Sequence, residues 1–104
     1  MATAVSGTIL DQYSLSDRFR PSPHVVWVRH TDATVLLDAD GGLYYTLNDV
    51  GGRIWELMAA GEPVIEILRV VGAEYEVAPE MLKADVTVLI SRLLRAGLIE
   101  EAPL

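Results

Sequence analysis

The chain has 104 residues, half of them hydrophobic, which suits one domain with a single modest core and argues against disorder over most of its length. Fifteen carboxylates against seven arginines and one lysine leave a net charge of −7. That balance supplies few cations for duplex DNA or an anionic membrane, so neither partner is expected, and it favours a neutral or basic peptide instead. With no cysteine there is no disulfide and no thiolate metal site. Charges or glycines break every apolar run well short of the roughly 20 residues of a membrane span, and the N-terminus lacks a basic start followed by an apolar core. A cytoplasmic protein is the expectation.

Residues 1 to 23 are polar and irregular, ending in Pro21 and Pro23, and are expected to form a flexible or loosely docked arm. HVVWVRH (24 to 30) is rich in β-branched and aromatic residues and predicts a first strand. Thr31-Asp32-Ala33 turns the chain into a second strand, TVLLD (34 to 38). Asp38-Ala39-Asp40-Gly41-Gly42 predicts another turn, and LYYTL (43 to 47) a third strand. Connections this short require an antiparallel meander, because parallel strands need a long crossover.

The period then changes from two to helical across one residue. Leu43, Tyr45 and Leu47 alternate with Tyr44 and Thr46, whereas Val50, Ile54, Leu57 and Met58 fall at i, i+4, i+7 and i+8. Asn48 suits an N-cap, Asp49 suits the positive end of the helix dipole, and Gly61 suits the stop. Gly51 and Gly52 each cost about 1 kcal/mol against alanine in a helix, which predicts close approach by a neighbouring element. Pro63 opens a second helix with Val64, Ile67, Leu68 and Val71 on its buried stripe, fraying near Gly72 or Tyr75. Pro79 opens a third helix with Leu82, Val86, Leu89, Ile90 and Leu93 inward, and Gly97 ends it. Leu98-Ile99 tuck back, leaving residues 101 to 104 as a tail beyond a domain spanning 24 to 100. The expected fold is α+β: a three-stranded antiparallel sheet followed by a three-helix bundle, arranged like a winged helix-turn-helix.

Few residues point to chemistry. His24 and His30 lie about 20 Å apart along one strand, too far to share a metal, and read as strand-end surface histidines. Asp38-x-Asp40-Gly41 matches the opening of a calcium loop but lacks its third ligand position and closing glutamate, so a β-turn accounts for it. No nucleophile motif and no phosphate-binding glycine loop is present, and the carboxylate pairs Asp38/Asp40 and Glu100/Glu101 fall on exposed turns or tails. Neither catalysis, nor a metal, nor a cofactor is expected. Winged-helix DNA binding is the alternative. Against it, the second helix carries Glu62, Glu66, Glu74 and Glu76 around a single Arg69. The third offers Lys83, Arg92 and Arg95 against Glu80 and Asp85, a poor phosphate footprint.

What remains is surface for a peptide. The third strand has a free edge and none of the lysines, prolines or bulges that usually blunt one. Tyr44, Tyr45 and Thr46 are good strand formers able to accept a partner strand. Met81 and Val88 lie off the main stripe of the third helix, with Ala84, Asp85 and Arg92 on the same flank, so an apolar groove with one acid and one base is expected there. The plainer alternative is core packing of the tyrosines beside a solvated helix flank.

The order of short motifs resembles the PqqD-like family, which comprises the small pyrroloquinoline quinone synthesis protein D and related recognition elements for ribosomally made precursor peptides. The matching pieces are Val35-Leu36-Leu37-Asp38, Gly42-Leu43-Tyr44-Tyr45-x-Leu47-Asn48, Gly51, and Ile54-Trp55-Glu56-Leu57. Gly61, Val64-x-Glu66-Ile67, Tyr75-x-Val77, Asp85-Val86-x-x-Leu89-x-x-Leu93 and Gly97-Leu98-Ile99 follow in order. The resemblance covers roughly residues 19 to 100. It implies a non-catalytic protein that binds a precursor's leader segment antiparallel to the third strand, in the groove against the third helix. On this chain the backbone of Leu43, Tyr44, Tyr45, Thr46 and Leu47 would hold the leader, and Met81, Ala84, Asp85, Val88, Leu89 and Arg92 would line the groove. The implied partners are the leader peptide and a modifying enzyme. A lasso-peptide leader peptidase, acting with a cyclase, is favoured because the chain is free-standing; the alternative is the radical S-adenosylmethionine enzyme of the quinone-synthesis type.

Overall fold

The computed structural model describes residues 13–103. In chain order the elements are β1 (Arg18–Pro21), β2 (Val25–Arg29), β3 (Ala33–Asp38), β4 (Leu43–Asn48), α1 (Asp49–Ala59), α2 (Val64–Tyr75), α3 (Pro79–Arg95) and β5 (Ile99–Ala102). The three predicted strands are β2, β3 and β4, which pair antiparallel in that order. Asp38 closes the β3–β4 turn: its Oδ1 accepts the N–H groups of Asp40 and Gly41 at 3.1 and 3.0 Å, and Gly42 takes φ +73°.

Strand alternation divides the sheet into two faces. Trp27, Leu36 and Tyr45 form one cross-strand row facing the helices, where Leu36 is wholly buried. Trp27 meets Trp55 of α1 edge to face, with ring centroids 6.1 Å apart. Val26, Leu37 and Tyr44 form a row on the opposite face, and Val28, Val35 and Thr46 another. Among the described residues no helix covers that face: Val26, Val28 and Tyr44 are 56%, 52% and 72% exposed.

The junction between β4 and α1 follows the local signals. Asn48 stays extended while its Oδ1 accepts the Gly51 N–H at 2.8 Å, satisfying one of the unpaired donors of the first turn. Arg29 of β2 reaches Asp49 at 3.0 Å. A Cβ on Gly52 would overlap the Thr34 hydroxyl and the Arg29 guanidinium. The close neighbour that the two glycines predict is therefore the sheet itself, lying directly under the first turn of α1.

Two strands lie beyond the predicted three and correct the expected arm and tail. β1 and β5 pair antiparallel from Arg18↔Ala102 to Pro21↔Ile99, joined by Arg20–Glu100 at 2.7 Å. Phe19 and Ile99 are both buried and pin the ladder to the core. The chain just before β1 is also docked. Pro63 at the N-cap of α2 offers no side-chain acceptor, so the N–H groups of Val64 and Ile65 donate to the carbonyls of Asp17 and Leu15, at 3.0 and 2.8 Å. Tyr13 hydrogen-bonds Thr87 of α3 and packs edge to face on Phe19. The expectation for residues 1 to 12 and for Leu104 falls outside the described residues.

The remaining boundaries agree with their signals. Gly61 follows α1 at φ +90°, and Gly97 follows α3 at φ +75° with the Leu98 N–H returning to Leu93 O at 2.9 Å. α2 runs to Tyr75 and ends with Glu76 in the left-handed region, φ 53°. Leu82, Val86, Ile90 and Leu93 of α3 are buried as predicted, but Leu89 is only partly covered.

Candidate functional site

β4 pairs with β3 on one side, and among the described residues no strand pairs with its other side. Every second residue on that edge therefore presents an N–H and a C=O without a ladder partner. The same edge borders a cavity of 520 Å³. β4 contributes Thr46, Leu47 and Asn48, and α1 contributes Val50, Gly51 and Ile54. Facing them on α3 are Asp85, Val88, Leu89 and Arg92, with Val77 and Leu82 nearby. The walls are chiefly apolar, with Asp85 and Arg92 two turns apart on the same helix.

Of the residues singled out in the sequence, Thr46, Leu47, Asp85, Val88, Leu89 and Arg92 line this cavity together. Leu43, Tyr44 and Tyr45 lie farther back along the strand. Leu43 is 57% exposed, Tyr44 projects onto the open sheet face, and Tyr45 points into the Leu36 row. Met81 is 63% exposed and lies outside the cavity. Ala84 lines a neighbouring cavity of 560 Å³ with Tyr13, Ser14, Leu15 and Thr87; Val88 borders both. The sequence pattern puts Ile54 and Leu82 on buried stripes, Asn48 at a helix N-cap and Gly51 at a close approach. Their second role at the groove follows from the angle at which α1 leaves β4, which no periodicity encodes.

Several charges elsewhere are paired within the chain. Arg53 of α1 donates to both carboxylate oxygens of Glu74 on α2, at 2.9 and 3.0 Å, and to Glu56 at 3.2 Å. The hydrogen bond from Arg53 holds the Glu74 carboxyl below the usual range, and the paired carboxylates hold the Arg53 guanidinium above its own. Arg69 likewise pairs with Glu66 and lowers its pKa. His24 approaches Asp38 at 3.6 Å. Among the described residues no three His, Asp or Glu side chains gather closely enough to hold a metal ion. Nor is any helix there long and apolar enough to cross a membrane.

Two solved structures share this architecture. One is TbiB1 in complex with the TbiA(beta) leader peptide: 33% identical, covering 78% of this chain and 94% of that one, with a TM-score of 0.73. The other is a lasso peptide synthetase B1 complexed with the leader peptide: 26% identical, covering 80% and 98%, with a TM-score of 0.73. No curated protein matches the chain. The family model for coenzyme PQQ synthesis protein D (PqqD) matches residues 33–99, a span that begins with β3 and takes in β4, all three helices and every residue of the groove. By that match, which covers more than half of its length, the chain belongs to the PqqD family.

Proposed function

We propose that this protein binds the leader segment of a ribosomally synthesised precursor peptide and presents it, without catalysis of its own, to a separate modifying enzyme. One observation carries the reading: the unpaired edge of β4 runs along a mainly apolar cavity walled by α3. An extended peptide added to that edge gains main-chain hydrogen bonds that are indifferent to sequence, while its alternate side chains enter the groove and are selected there. The two similar structures are complexes with leader peptides, which supports the same class of ligand here. One of them is a lasso peptide synthetase B1, which favours a leader peptidase as the partner over the radical enzyme of quinone synthesis.

The uncovered face of the sheet supports a protein partner as well. Val26, Val28 and Tyr44 project there, next to the strand that would hold the leader. An enzyme docking on that face would meet the precursor at raised local concentration.

The test leaves the protein unaltered. A leader peptide, beginning with the TbiA(beta) leader bound by the similar TbiB1, is made as a series, each N-methylated at one amide, and titrated by fluorescence anisotropy at about 150 mM salt. Strand addition uses every second amide, so affinity is expected to fall about tenfold or more at alternate positions only. Uniform tolerance of N-methylation overturns strand addition. Tight binding to duplex DNA with a steep salt dependence overturns peptide recognition in favour of the winged-helix alternative.

A further inference from the structure

Several charges of α3, Glu80, Lys83 and Arg95 among them, have no ion-pair partner among the described residues, but only Asp85 and Arg92 do so inside the β4–α3 cavity. Their own helix offers none. The residues three and four positions from Asp85 are Met81, Leu82, Val88 and Leu89; those around Arg92 are Val88, Leu89, Arg95 and Ala96. Arg53 and Arg69, by contrast, each have a glutamate three residues away and use it. Val88 and Leu89 occupy the surface between Asp85 and Arg92.

A peptide that covers Val88 and Leu89 necessarily strips water from the acid and the base on either side. That desolvation is offset only if the peptide brings opposite charges to both places, and like charges there are repelled. Seven helical residues rise about 10.5 Å. Along an extended strand, side chains four residues apart face the same way about 13 Å apart, with one more side chain midway between them. Flexible ends on lysine, arginine and glutamate close the difference.

We infer that the groove reads charge order: it selects a leader segment in which a basic and an acidic side chain stand four residues apart with an apolar one midway. The basic group meets Asp85, the apolar group covers Val88 and Leu89, and the acidic group meets Arg92. Because the two protein charges differ in sign, the reversed order places like charges together at both ends. The pair thereby fixes both the register and the direction of the bound strand. This inference rests on the leader-binding reading and adds the chemical class of leader it accepts.

Three synthetic peptides on one threonine- and valine-rich host strand test it, carrying Lys-x-Leu-x-Glu, Glu-x-Leu-x-Lys or Gln-x-Leu-x-Gln at the centre. The full chain is expected to bind one charged order about tenfold more tightly than the other, with the glutamine peptide between them. The doubly swapped variant Asp85→Lys/Arg92→Glu is expected to invert that ranking. Both positions are exposed, and circular dichroism checks the fold. Should the swap not fold, the neutral variants Asp85→Asn and Arg92→Gln are each expected to shrink the preference. Equal binding of all three peptides, or a ranking unmoved by these variants, overturns the charge reading and leaves strand addition standing. Failure of all three peptides to bind overturns both.

Discussion

On the α1–α2 side of the bundle, Arg53 ties Glu56 and Glu74 together across two helices, and Trp55 beneath it is wholly buried against Trp27. On the α3 side, Val88 is 48% exposed, Leu89 is half covered, and Asp85 and Arg92 have no ion-pair partner among the described residues. In the first region the Arg53 charge is paired and the Trp55 ring is packed within the chain, with the indole N–H of Trp55 the buried polar group left over. Such internal matching suits a scaffold. The second leaves apolar surface and both signs of charge unmatched beside a strand edge that is also unpaired. Groups unmatched in so many ways at one place are the mark of a surface completed by something else.

Breaking the matched side should cost stability, and breaking the open side should cost binding. Trp55→Ala removes a fully buried indole, so a loss of about 3–5 kcal/mol in urea unfolding is expected, with no binding by whatever fraction unfolds. Val88→Asp has the opposite profile. The residue is half exposed, so the thermal midpoint is expected to stay within about 2 °C. A carboxylate set into the apolar strip should nevertheless weaken leader binding about tenfold by anisotropy. A fall in midpoint as large as that of Trp55→Ala would show Val88 to be core rather than groove.

The smallest effect belongs to the ion pairs. Glu74 titrates below its usual 4.5 in the folded protein, so its pairing with Arg53 is fully present above that pH and lost as acid protonates the carboxylate. Because Glu74 is solvent-exposed, Arg53→Gln is expected to lower the thermal midpoint at neutral pH by only about 2 °C. The variant should also lose less stability than the parent on acidification below 4.5. A larger drop would mean that the α1–α2 contact depends on this pair rather than on the packing around Trp55.

The features legible in the sequence were those carried by near neighbours. The alternation of Leu43, Tyr45 and Leu47 placed β4, Asn48 and Asp49 marked the start of α1, and Gly61 and Gly97 marked helix ends. Half-buried strands and amphipathic helices announce themselves at periods of two and 3.6 because burial acts on single elements. The pairing of β1 with β5 left no such mark. Each strand has only four residues, their partners are some eighty positions apart, and Phe19 and Ile99 supply one buried side chain each. A pattern that brief is indistinguishable from an irregular arm until the other strand arrives.

The candidate site divides the same way. The free edge of β4 followed from strand order alone, since a meander leaves its last strand with one open side. The placing of one acid, Asp85, and one base, Arg92, on the same flank of the third helix followed from helical spacing. Tertiary structure decided which of the nominated residues share one cavity: Thr46 and Leu47 join Val88, Leu89, Asp85 and Arg92, whereas Ala84 turns towards Tyr13 and Met81 stands clear. That selection depends on how α3 stands beside the sheet: α1 is seated on the sheet by Gly52 over Thr34 and Trp55 on Trp27, and the Tyr13–Asp17 segment bonds to both α2 and α3. Local chemistry wrote the elements and their caps, and only long-range packing, acting on side chains distant in sequence, shaped the groove between them.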